Sequence, residues 1–138
     1  MGVALYTQPL EGSSPKIYAI VSRKEGPSEG YLAQYLLEPD STGIIRGREV
    51  RRFGRFSGIK EIESIAVDNE LGYVYYSDEQ AGVRKYYADP ERGDEELAIF
   101  ADSGYMKDNE GISIYKYSDG TGYILVSNQA AHTFVVYP

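Results

Sequence analysis

The chain has 138 residues with 21 acidic and 14 basic side chains, a formal net charge of −7, 14 tyrosines and neither cysteine nor tryptophan. That charge argues against nucleic acid or an anionic membrane held through bulk attraction and suits a chain that collects cations, while the lack of cysteine removes disulfides, thiolate zinc sites and a cysteine nucleophile. The length supports one ordinary domain with a real core, and with no apolar run of about eighteen residues and no basic-then-apolar start, no membrane span or export leader is expected.

Short runs of β-formers bounded by Gly, Pro, Asn and Asp fill the chain from end to end. The first are Val3 to Thr7, Lys16 to Ser22, Tyr31 to Leu37 and the arginine-rich Ile44 to Phe53, separated by turns at Gly12 to Pro15 and Asp40 to Gly43 and by the polar loop Arg23 to Gly30. Next come Glu61 to Asp68, Tyr73 to Ser77, Gly82 to Tyr87 and, past the polar loop Asp89 to Asp94, Leu97 to Phe100. Gly111 to Tyr117, Tyr123 to Ser127 and His132 to Tyr137 complete the series. No stretch sustains a 3.6-residue period, so little helix is expected.

These strands repeat as units. An apolar strand ending in serine occurs at Ser22, Ser77 and Ser127, and the strand before each also matches: Glu63-Ser64-Ile65-Ala66-Val67 with Glu110-Gly111-Ile112-Ser113-Ile114, and more loosely with Gly2-Val3-Ala4-Leu5-Tyr6. A period near fifty with about four strands per unit is the pattern of β-propeller blades. The expected fold is therefore all-β: one partial propeller domain of about three consecutive four-stranded antiparallel blades, over 2–56, 57–104 and 105–138, the last one strand short. Closed propellers take about four to eight blades, so a larger ring is expected to supply the remainder.

If the units are equivalent, the loops after each second strand (Arg23-Lys24-Glu25, Asp78-Glu79-Gln80, Asn128-Gln129) share one rim, and Glu63 and Glu110 sit near its centre. Asp108, Glu110, Glu63 and Glu79 would then form an acidic set that repels itself unless a cation is present. Calcium, which accepts several carboxylate oxygens in irregular geometry, fits such a set better than zinc, whose His and Cys ligands are nearly absent. Lys24, beside Arg23, is the anion-binding candidate on the same rim. The alternatives are ordinary ones: acids that are solvated or cap turns, and an exposed loop lysine. The run Arg46, Arg48, Arg51, Arg52, Arg55 lies on an outermost strand, where basic residues guard against strand pairing, and His132, the single histidine, has no partner motif and reads as structural. Neither a nucleophile elbow nor a phosphate-cradling glycine loop is present.

Several of these stretches together resemble the β-propeller phytases, the calcium-dependent alkaline phytase family. They are Tyr18-Ala19-Ile20-Val21-Ser22-Arg23-Lys24-Glu25-Gly26, Glu63 to Asp68 with Leu71-Gly72-Tyr73-Val74-Tyr75, Asp78-Glu79, Asp108-Asn109-Glu110-Gly111-Ile112-Ser113-Ile114-Tyr115 and Gly122 to Gln129. The resemblance runs through nearly the whole chain, in order, and through only the middle of the family's chain. It implies a six-bladed propeller that hydrolyses phosphomonoesters of myo-inositol hexakisphosphate (phytate) with calcium ions at the narrow end of its channel. By the same resemblance Glu63, Asp108 and Glu110 match acidic calcium ligands, Glu79 an acid near the metals and the attacking water, and Lys24, with Arg23 beside it, a phosphate-binding position. An extracellular or periplasmic parent is implied as well.

Departures from the family pattern bear on activity. Its paired aspartates and further phosphate-binding lysine and arginine fall upstream of Met1, other calcium ligands fall downstream of Pro138, and Met1 stands where the pattern has a tyrosine near substrate. The expectation is a phytase fragment inactive alone. A non-catalytic calcium-binding propeller scaffold and a half-propeller completed by a second copy of the chain stay open beside it.

Overall fold

The computed structural model describes residues 1–103 and 109–138 and contains three antiparallel sheets. The first holds β1 (Val3–Gln8), β2 (Lys16–Val21), β3 (Glu29–Pro39) and β4 (Ile45–Arg55), each paired with the next in sequence. β5 (Ile65–Asp68), β6 (Tyr73–Asp78), β7 (Gly82–Tyr87) and β8 (Ala98–Phe100) make the second, and β9 (Ile112–Ser118), β10 (Thr121–Asn128) and β11 (Thr133–Tyr137) the third. Among the described residues helical structure is limited to the two short 3-10 turns Pro90–Arg92 and Gln129–Ala131. The all-β succession expected from the repeat is therefore present, as sheets of four, four and three strands consistent with the blades of a partial propeller.

The sheets stack face to face, with β5 lying beside β1 on one side and β9 on the other. β6 shows why its sequence reads as an unbroken apolar run: Val74 and Tyr76 point into a core shared with Tyr6, Tyr18, Ile20, Leu32 and Phe53 of the first sheet. Tyr75, one residue out of phase, joins Val83, Ile124 and Val126 in a second core against the third sheet. A middle strand buried on both faces has no polar side to display. The end sheets differ. Val3, Leu5 and Ile17 of the first and Phe134 and Val136 of the third are exposed apolar side chains.

Two of the most deeply buried tyrosines hydrogen-bond through their hydroxyls. Tyr76 stacks on Tyr86 and donates to the Arg55 carbonyl (2.8 Å), and Tyr86 donates to Glu96 Oε2 (3.0 Å). Gly54 lies at φ +88°, and a Cβ there would sit 2.8 Å from the Tyr76 hydroxyl, so the chain needs glycine on both counts. At one end of the stack the β5–β6 turn touches both neighbours: Asn69 Oδ1 accepts from the Thr7 amide (2.7 Å), and Glu70 pairs with Lys116 and accepts from the Gly120 amide (3.1 Å).

Two expectations change in detail. Residues 61–64 are not strand; they form a strap whose Ile62 side chain is fully buried and whose Ser64 carbonyl accepts from the Ser77 amide (3.1 Å), so the sheet begins only at Ile65. Nor is the arginine strand uniformly a guarding edge. Arg48, Arg52 and Arg55 form surface pairs with Glu38, Glu49 and Glu29. Arg51, however, is buried over the Phe53 ring and donates to Gln34 Oε1 (3.0 Å) and to the carbonyls of Gly93 and Tyr87 (both 2.9 Å), bolting β4 to the second sheet.

Arg51→Ala is expected to destabilise the fold by about 3 kcal/mol, because it strands one side-chain and two main-chain acceptors. Arg52→Ala, one residue along, should cost about 0–1 kcal/mol; denaturant midpoints of the two variants check this contrast. Burial pushes the Tyr75 and Tyr86 hydroxyls from an ordinary 10.0 up to about 12, and Tyr76 higher still. Their protonated forms are thus favoured by folding, so that stability is intact below pH 10 and is lost as pH rises from 10 towards 12. Thermal melts across that window, with tyrosinate absorbance followed in parallel, should show ionisation and unfolding together.

Candidate metal and phosphate site

The repeated serines assemble the site. In every sheet the serine at the end of the second strand bonds back to the residue just before the first: the amides of Ser22, Ser77 and Ser127 donate to the carbonyls of Gly2 (3.0 Å), Ser64 (3.1 Å) and Gly111 (2.9 Å). In the first two sheets the hydroxyl also crosses to the next sheet. Ser22 Oγ accepts from the Gly2 amide (2.6 Å) and donates to the Ile62 carbonyl (2.6 Å), and Ser77 Oγ donates to the Asn109 carbonyl. Ile62 and Asn109 are the residues immediately before Glu63 and Glu110, so each bond sets where an acid leaves the strap. The approach is close: a Cβ on Gly2 would lie 2.5 Å from the Glu63 carbonyl oxygen.

Glu79 arrives by a different route, two residues beyond Ser77, where Gln80 turns the chain at φ +66° and its amide donates to Asn109 Oδ1 (3.3 Å). Glu63, Glu79 and Glu110 consequently converge, with one carboxylate oxygen from each lying within 4.8 Å of the others. Glu79 is buried, Glu110 half-buried and Glu63 exposed. They face an open cavity of about 730 Å³ that Lys24, Lys60 and Glu61 also line.

Three ammonium groups sit among these acids, the first being that of the N-terminus, 3.7 Å from Glu63 Oε1. Lys60 Nζ is 3.5 Å from Glu79 Oε2, and Lys24 Nζ is 3.3 Å from Glu61 Oε1. The loop carrying Lys60 is anchored below the cavity by Asp78. That carboxylate is fully buried, accepts from the Ser57 amide (2.9 Å), the Ser57 hydroxyl (2.7 Å) and Arg84 Nε (2.9 Å), and so belongs to the frame and not to the rim. Arg84 continues to Glu96 Oε2 (2.6 Å).

Of the residues singled out from sequence, Glu63, Glu79, Glu110 and Lys24 meet at one cavity. Arg23 is half-buried, does not line that cavity, and its carbonyl accepts from Tyr31. Asp108 lies outside the described residues. His132 is exposed and takes a left-handed conformation (φ +55°) just before β11. Lys60 and Glu61 are cavity residues that sequence reasoning passed over, although aligning Glu63 on Glu110 sets Lys60-Glu61 against Lys107-Asp108 and so marks a repeated basic-acidic pair. The donor set is entirely oxygen. Bonds of about 2.3–2.6 Å from one centre span oxygens this far apart, which is the geometry a hard cation such as calcium accepts.

Stacked antiparallel sheets with carboxylates gathered at one mouth define a class: partial propellers with an acidic rim. Within that class, the family described as Phytase matches residues 1–138, the entire chain, and the chain belongs to it. The 3-phytase of Bacillus subtilis (strain 168) is 29% identical over 138 residues, which cover 99% of this chain and 34% of that protein. The chain thus spans about a third of its relative's length.

Ser77→Ala removes the donor to the Asn109 carbonyl inside the second core and should cost about 1–2 kcal/mol. Equilibrium denaturation checks that loss, and a Ser77→Thr variant that keeps the hydroxyl should recover part of it.

Proposed function

We propose that this chain supplies part of the active site of a phytase, a hydrolase of the phosphomonoesters of myo-inositol hexakisphosphate assisted by calcium. The convergence of Glu63, Glu79 and Glu110 in a chain of the phytase family is the observation that carries this function. Glu63 and Glu110, with Asp108, are the ligands that would hold the cation. Bound there, calcium supplies positive charge to the phosphoryl oxygens and lowers the cost of activating water.

The chain's own groups account for the remainder. Lys24 offers positive charge to a phosphate oxygen across the cavity. Glu79, recessed and anchored beyond Ser77, would take the proton of the attacking water while the P–O ester bond opposite breaks and the departing inositol oxygen takes up a proton from solvent to leave as the alcohol. The exposed apolar faces of the end sheets support a ring completed by further sheets, from a longer chain or from a second copy.

With so much of the ring outside it, the 138-residue chain alone should release little phosphate from phytate, yet it should bind calcium. Calorimetric titration is expected to show calcium uptake that falls at least about tenfold in a Glu63→Gln/Glu110→Gln double variant. In a longer parent chain, calcium binding without phytate turnover would point instead to a non-catalytic scaffold.

A further inference from the structure

Lys60 is held at both sides along the main chain while its side chain reaches into the cavity. Three residues before it, Ser57 is fixed to Asp78, and two residues after it the buried Ile62 has its carbonyl tied to Ser22. Between these anchors Gly58 (φ +75°) turns the chain, and the Lys60 side chain is 39% exposed in the cavity with its ammonium 3.5 Å from Glu79 Oε2. That oxygen belongs to one of the three carboxylates that converge at the mouth. An ammonium and a divalent cation placed against the same carboxylate repel each other, so the two compete for it. A lysine has four rotatable carbons and a compact charge, and it can leave Glu79 without moving the main chain.

We propose that Lys60 is a positioning residue for phosphate that exchanges partners. Without a cation it neutralises Glu79; when a cation lies among Glu63, Glu79 and Glu110, its ammonium turns to an oxygen of the phosphate held there. This rests on the cation and phosphate function proposed above. It makes Lys60 a contributor of opposite sign to two equilibria: it opposes cation binding and favours anion binding once the cation is in place. A lysine with a purely structural pairing to Glu79 gives no such inversion.

Lys60→Met removes the charge and keeps much of the stem, Lys60→Arg keeps the charge, and Lys60→Gln is a second neutral variant should methionine disturb the loop; circular dichroism confirms folding. Calorimetry would titrate each chain with calcium alone, and then with inorganic phosphate at saturating calcium. Lys60→Met and Lys60→Gln are expected to bind calcium about five- to tenfold more tightly and phosphate about five- to tenfold more weakly than the parent chain, with Lys60→Arg close to the parent in both. Neutral variants with unchanged or weaker calcium binding would overturn the exchange. So would calcium uptake by the parent chain with no phosphate uptake, which leaves the metal site standing. Absence of calcium binding in every chain would overturn the metal site and the exchange together.

Discussion

The serine hydroxyl that bridges one sheet to the next is the constraint on which the rest of this structure depends. Ser22 and Ser77 each sit at the end of a second strand and reach the residue just ahead of the next sheet's acid, Ile62 before Glu63 and Asn109 before Glu110. One small polar group therefore does two things. It satisfies a buried carbonyl that would otherwise weaken the interface, and it registers carboxylates from separate repeats at a common height. Apolar packing brings the sheets together, but it is non-directional; these bonds decide that the acids of different sheets face one another.

Much of this was legible in the sequence because a repeat compresses information. Ser22, Ser77 and Ser127 stand out by alignment alone, and the strands around them fall within a few residues of where their β-formers and turns place them. Equivalence of repeats also put Glu63, Glu110 and the loop bearing Glu79 at one mouth before any coordinate was known. What stayed hidden was whatever breaks the repeat. Arg51 and Arg52 are adjacent in sequence, and only the pleat, which turns alternate side chains to opposite faces, separates a buried bolt from a surface ion pair. Asp78 and Glu79 are adjacent acids with divergent fates, one locked beneath the cavity by Ser57 and Arg84 and one turned into it. Lys60 follows the repeat, since aligning Glu63 on Glu110 sets it against Lys107, but its pairing with Glu79 joins two loops and is not marked by any alignment.

The electrostatics of the mouth follow from where charge is compensated. Positive groups on the β4 side are engaged locally, with surface acids or, for Arg51, with carbonyls and Gln34. At the cavity, five carboxylates from Glu25, Glu61, Glu63, Glu79 and Glu110 meet Lys24, Lys60 and the N-terminal ammonium beside Glu63. The deficit is local. A chain with a negative total has thus concentrated part of its excess where three acids converge.

The two ends of the stack are unlike, one showing Val3, Leu5 and Ile17 and the other Phe134 and Val136. The assembly accordingly has a direction. A twofold axis across the ring would set like face on like face, whereas a twofold along the ring axis sets each end on the opposite end of its partner, the head-to-tail contact that the sheets already make. Addition of that kind closes only if the rotation from sheet to sheet divides a full circle, and otherwise it winds into an open spiral. The angle between adjacent sheets, held at one end by the serines and at the other by Asn69 and Glu70, is therefore the quantity that separates a finite molecule from a filament.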